Sequence, residues 1–363
     1  MTGALRRTLL AQAEACAELG SPMYAELLTR AADDPGTAVA DVLGDRTGPG
    51  FVLGMLGTVH RLVLEGRAPD LAAHYPTAGG TKDPLAAWPA FRDALAEHAP
   101  EVRAGLADPP QTNEVGRAAP LVGGLLTVAA ATGLPVRLLE LGASAGLNLR
   151  ADHFRITYEG GAYGPVSGAE RRRSGGNRPP VVPPEDAAPE TGVVLADAWR
   201  GLPRVDARLV IVERRGCDLN PLDPASPEAR RRLLSYVWPD QAARVARLRA
   251  AFAVAERVPA TVVRAGAAEF LDGVAPREGV ATVVWHSTMQ AYLSPDESAR
   301  VHARLEQAGA AATADAPFAH LSFEGPDASR LDAAHVLTLR LWPDGGPVIL
   351  AEGPSHGLPT TWR

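Results

Sequence analysis

The pentapeptide Gly142-Ala143-Ser144-Ala145-Gly146 follows the apolar run Val136–Leu141 and precedes Leu147-Asn148-Leu149-Arg150. A strand that enters a turn of small residues and leaves as a helix offers free backbone N–H groups to a ligand at close range. Three readings stand for this turn. It can cradle a nucleotide or adenosine cofactor, with Glu140 at the strand end accepting bonds from ligand donors. Taken as G-x-S-x-G it is a nucleophile elbow in which Ser144 would be a hydrolase nucleophile, and Asp315 and His356 follow in the order Ser, Asp, His. It can also be a tight strand–helix turn with no ligand.

Downstream residues favour the first reading. The strand LVIVERRGCD ends at Asp218, followed by Leu219-Asn220-Pro221. A carboxylate at the end of a neighbouring strand is placed to accept bonds from two ribose hydroxyls. ATVVRA opens into Gly266-Ala267-Ala268-Glu269, a small-residue turn suited to lying against an adenine. ATVVWHS ends in Trp285-His286-Ser287. Ligands of such sheets sit at the carboxyl ends of the strands, where these segments converge. A hydrolase elbow normally follows earlier strands of its own sheet, and no strand is predicted before Val136.

This constellation resembles the class I S-adenosylmethionine-dependent methyltransferase superfamily over roughly residues 136–350, with ELGASAG, DLNP, RAGAAEF and VVWHS as its four motifs. The resemblance implies a Rossmann-like class I methyltransferase fold that binds S-adenosylmethionine. Carried over by motif, cofactor contacts fall on Glu140, Gly142, Ala143, Ser144, Gly146 and Asn148, then Asp218 and Leu219, then Ala267 and Glu269, then His286. The whole chain is also similar to a bacterial domain-of-unknown-function family through QTNEVGR, ELGASAGLNL, DLNPLDP, VWPDQ and VVWHS.

Methyl transfer from a sulfonium is an in-line displacement, so holding donor and acceptor in line supplies much of the rate. A base is needed only where the acceptor must lose a proton, and His286 is the candidate by side-chain type and position. The bland alternative is a histidine hydrogen-bonded in place. Gln111, Asn113, Glu114 and Arg117 form a dense polar patch that can reach a substrate, with Arg117 suited to a carboxylate; otherwise it is a solvated helix cap. Tyr75 can line the same cleft or be ordinary core. His302 and His320 lack metal-ligand spacing with other residues, so no metal site is expected. Cys217 reads as a small core residue.

The elements that must position these groups fall into two parts. Residues 1–125 read as a helical domain that caps the crevice and contributes to substrate binding. Residues 126–363 read as the Rossmann-like domain, α/β in class, with a Gly/Pro/Arg-rich insertion at about 160–192. Ser21-Pro22, Asp83-Pro84 and Ser226-Pro227 each pair an N-cap with proline at the first helical position. The uncharged run Ala118–Val136 reaches membrane-spanning length but is built from Ala, Gly and Thr, and reads as a buried helix followed by a strand.

The net charge of −6 in 363 residues argues against nucleic-acid binding through overall positive charge. Lys82 is the only lysine, so the arginine runs at 171–173 and 230–232 reflect codon usage rather than a nucleic-acid surface. Two cysteines and no export signal give a cytoplasmic expectation. The expected function is methyl transfer to a small-molecule acceptor held between the two domains. The alternatives are a serine hydrolase using Ser144 and a non-catalytic S-adenosylmethionine-binding protein.

Overall fold

The computed structural model describes residues 2–34, 36, 38–107, 109–165, 192–326 and 333–363. Most of the expected insertion, including Arg171–Arg173, lies outside the described residues. The chain divides into two compact units, Met1–Thr112 with Ser226–Ala246, and Asn113–Ala225 with Arg247–Arg363.

The first unit is helical: α1 (Gly3–Glu18), α2 (Pro22–Asp33), α3 (Ala38–Leu43), α4 (Pro49–Leu64), α5 (Pro69–Ala72), α6 (Trp88–Glu97) and α7 (Ala99–Gly105). A helix from later in the chain, Pro227–Ser235, belongs to the same unit. Its apolar faces close on a core that includes Leu5, Leu9, Met23, Leu27, Val59 and Phe91. Ser21 caps α2 by accepting from Tyr24 N, and Asp240 clamps the same start, accepting from Ser21 Oγ at 2.6 Å and Met23 N at 2.9 Å. The Asp83 cap closes only a 3-10 turn, Pro84–Ala86, before α6 begins at Trp88.

The second unit is α/β. Among the described residues its strands are β1 (Val136–Leu141), β2 (Arg155–Tyr158), β3 (Gly161–Tyr163), β4 (Val194–Arg200), β5 (Ile211–Asp218), β6 (Thr261–Arg264), β7 (Ala281–Ser287), β8 (Phe318–Glu324), β9 (His335–Trp342), β10 (Val348–Gly353) and β11 (Thr360–Trp362). They form one sheet in the order β3-β2-β4-β11-β10-β9-β8-β7-β1-β5-β6. The run β6-β5-β1-β7-β8 is parallel, and β8 to β11 is an antiparallel meander. Strand β11 then pairs in parallel with β4, so three residues join the two limbs of the sheet. Order along the sheet reverses at β1, and crevices open at the carboxyl ends of strands where this happens.

Helix α8 (Ala118–Thr132) explains the long uncharged run. By length and composition the stretch Val115–Thr132 could cross a membrane. Here Ala118–Leu126 are all buried, because the helix packs against β4, β7, β8 and β9. A helix that is apolar on every side is stable in water only with such cover. Gly123 and Gly124 permit the close approach: a Cβ would lie 2.0 Å from the Trp362 ring and 2.8 Å from Leu321. Trp199 Nε1 donates to Ala119 O at 3.0 Å, tying β4 to the same helix. The opposite face packs on Ala267–Leu271 and Pro295–Ala310 through Leu139, Leu141, Val284, Phe270, Val301 and Leu305.

Candidate functional site

Gly142, Ser144 and Gly146 all have positive φ, at 68°, 54° and 66°. For Ser144 that conformation costs energy, so the turn must be held by its surroundings. Strand β5 supplies the hold. Ala143 N donates to Cys217 O at 2.9 Å, Ser144 N to Asp218 Oδ2 at 2.9 Å, and Leu222 N to Ser144 O at 3.1 Å. Gly216, opposite Glu140, lets the turn descend: a Cβ there would be 2.7 Å from Ala143 Cβ and 2.8 Å from Glu140 O. Asp218 uses its other oxygen to accept from Asn220 N at 2.8 Å.

The helix expected after this turn does not form. Asn148–His153 is a 3-10 segment kinked at Arg150, so there is no α-helix N-terminus to donate to a ligand. Tertiary bonds take its place. Leu147 N donates to Asn113 Oδ1 at 3.0 Å, and Asn148 Nδ2 to Glu114 O at 3.1 Å. The Arg150 guanidinium donates to Gly146 O at 2.6 Å and Val258 O at 2.7 Å.

These bonds show what part of the Gln111–Arg117 patch does. Asn113 and Glu114 brace the glycine turn from behind, and the Glu114 carboxylate accepts from Gly116 N at 3.0 Å. Arg117 Nε donates to Ser355 O at 2.9 Å, and its charge favours the ionised forms of both Glu140 and Glu324. Gln111 belongs to the first unit, where it is buried. Tyr75 is fully buried in that unit's core, edge-on to His60 at 5.3 Å, and burial pushes its hydroxyl far above the ordinary tyrosine range.

Glu140 is 3% exposed. Burial raises its carboxyl from 4.5 to about 8; Asp218 adds to the rise, while Trp285, Arg117 and Arg150 oppose it. The Trp285 indole faces the carboxyl, yet neither its Nε1 nor Glu140 Oε2 completes a hydrogen bond of acceptable geometry. Asn148 Oδ1 is a second buried acceptor with no partner.

At the end of β6, Ala265 N donates to Asp218 O at 3.1 Å. Ala267 is buried, whereas Glu269 is exposed and accepts from Gly266 N at 3.3 Å. Leu219 is exposed beside Arg264, whose guanidinium donates to Leu219 O at 2.9 Å and Asn220 Oδ1 at 3.0 Å.

His286 lies at the carboxyl end of β7 but is 1% exposed. Its Nδ1 meets Glu324 Oε1 at 2.7 Å and its Nε2 meets His320 Nε2 at 2.9 Å. Both ring nitrogens are therefore committed to protein partners. A general-base role by direct contact with an acceptor is not what this geometry provides. Burial, with His286, His302 and Arg340 nearby, lowers His320 to about 3. Glu324 escaped the sequence reading, and His320 was weighed there only as a metal ligand. Alternation along β8 puts residues 318, 320, 322 and 324 on one face, but only the pairing of His286 with Ser322 brings His320 and Glu324 to the imidazole.

Among the described residues, no group of three or more His, Cys, Asp or Glu side chains is arranged to hold a metal ion. The residues weighed for a hydrolase do not converge. Ser144 is buried and follows the carboxyl end of β1, whereas Asp315 precedes the amino end of β8, at the other end of the parallel run. The backbone of His356 lies beside Gly116.

No curated protein and no solved structure matches this chain. The sequence pattern of one bacterial family, described as "Uncharacterized protein conserved in bacteria (DUF2332)", covers residues 6–362, and the chain belongs to that family.

Proposed function

We propose that the carboxyl ends of β1, β5, β6 and β7 bind S-adenosylmethionine, and that the protein transfers its methyl group to a small-molecule acceptor on a Rossmann-like class I methyltransferase fold. The observation that carries this reading is the parallel order β6-β5-β1-β7-β8, which sets the four expected cofactor segments side by side at one end of the sheet.

The residues present fit such a group. Ser144 N and Asn220 N fix the Asp218 carboxylate at the end of β5, where it would accept from ribose hydroxyls. Glu140 Oε2 and Asn148 Oδ1 are buried acceptors in want of donors, which an ammonium or hydroxyl supplies. Gly142, Ala143, Ser144 and Gly146 would shape the floor, and Leu219, Ala267 and Glu269 the adenosine side. When bound, the cofactor supplies an electrophilic methyl carbon on a sulfonium. The protein's part is to hold the two reactants in line and exclude water.

The commitment of both His286 nitrogens favours one second reading, a protein that binds the cofactor without transferring its methyl. Calorimetric titration with S-adenosylhomocysteine tests the common element. One-site micromolar binding, weakened at least tenfold in Asp218→Ala, is expected; no binding overturns both readings. Binding with no turnover on amine, thiol and hydroxyl acceptor panels selects the second.

A further inference from the structure

The turn after β7 is strained and tightly held. Thr288, a β-branched residue, has φ 51°, a conformation such side chains rarely adopt. Thr288 N donates to Phe323 O at 3.2 Å, and Thr288 Oγ1 meets His335 Nε2 at 3.1 Å. The next residue, Met289, gives its N–H to the Glu324 carboxylate, 3.0 Å from Oε1 and 3.2 Å from Oε2. The same carboxylate accepts from His286 Nδ1, and His320 holds the far side of that ring. Glu324 is thus the common anchor of a histidine pair and of the turn.

Met289 links this anchor to the first turn. Its side chain lies against Gly142, where a Cβ would come within 2.9 Å of Met289 Cγ. Gly142 opens the run of positive φ angles that continues through Ser144 and Gly146. We propose that Glu324 is a positioning residue for the crevice: by fastening Met289 N it seats the Met289 side chain under Gly142 and holds the Gly142–Gly146 turn in its strained form. The crevice as a cofactor site rests on the function proposed above; the mechanical link from Glu324 to Gly142 does not.

The test combines amide hydrogen exchange with S-adenosylhomocysteine titration on the full chain. Glu324→Ala should raise exchange at least tenfold at Met289 and also across Gly142–Gly146, and should weaken binding at least tenfold. Glu324→Gln keeps a carbonyl acceptor for Met289 N and should restore exchange and affinity to within threefold of the parent. Rescue by the amide separates an anchoring role from mere loss of charge beside His286. Met289→Ala provides an arm that leaves the carboxylate in place, and it should loosen Gly142–Gly146 alone. Unchanged exchange at Gly142–Gly146 in Met289→Ala, or in a folded Glu324→Ala, overturns the proposal. The expected exchange pattern in a protein that does not bind S-adenosylhomocysteine would support the anchor and sink the cofactor reading.

Discussion

Replacing Glu140 by glutamine should make the protein more stable at alkaline pH and little different at acid pH. The reason is burial. The carboxyl is 3% exposed, has an oxygen with no hydrogen-bond partner, and is raised from 4.5 to about 8. The folded state therefore favours the protonated form. Stability from this group is fully present below about pH 4.5 and is lost as pH rises toward 8, because the unfolded chain gives up the proton first. Between pH 5 and pH 8 the linkage amounts to roughly 3 kcal/mol. Glutamine has nearly the same shape and does not titrate. Urea unfolding of both proteins at pH 5 and pH 8 should show the variant gaining about that much on the parent. A stability difference that is the same at both pH values would refute the reasoning. If the crevice binds S-adenosylmethionine as proposed, the stabilised variant should also lose affinity for S-adenosylhomocysteine.

Two further substitutions test buried contacts, one beside Glu140 and one in the first unit. Gly216→Ala drives a methyl into Ala143 Cβ and Glu140 O, and should lower the urea midpoint by an amount equivalent to about 1–3 kcal/mol while abolishing ligand binding; a parent-like midpoint and affinity would contradict the close approach. His60 in the first unit is fully buried, and desolvation lowers it to about 4 against the Ser235 carbonyl that supports its charge. Its contribution is present above pH 6.5 and fades as pH falls toward 4, by about 3 kcal/mol in all. His60→Gln should flatten that acid dependence in urea midpoints between pH 7 and pH 5, and an equal slope in both proteins would show that His60 is not the acid-sensitive group.

Much of the scaffold was legible because its signals are local. Ser21-Pro22 and Ser226-Pro227 cap helices as their chemistry dictates, and the apolar strands around Leu139, Val263, Val284 and Leu321 stand out by composition. The limb β2-β3-β4-β11 was not legible. Its strands run three to seven residues, and β4 is interrupted at Asp197, which has φ 49°. The segment after Gly146 has good helix formers, yet bonds to Asn113, Glu114 and Val258 override that propensity, and those partners are distant in sequence. The same nonlocality hid the working of the site. Asn113 and Glu114 look like groups that reach a ligand, and the bonds they make to Leu147 and Asn148 hold the turn. His286 stands at the right end of its strand, but strand pairing turns its ring toward Glu324 and His320.

Strand β11 carries a consequence for how the chain becomes a folded molecule. It alone bridges β4 to β10 in the described sheet, yet it is the last strand in chain order. During synthesis β2 and β4 emerge long before the three residues that join them to the meander. Until Thr360–Trp362 are available, both limbs present open strand edges, and α8 lacks the Trp362 side of its cover. Such edges invite pairing with other chains, and nonlocal pairings of this kind form slowly. A chain halted before residue 360 should therefore be a better client for chaperones, and a more aggregation-prone one, than a chain that carries β11.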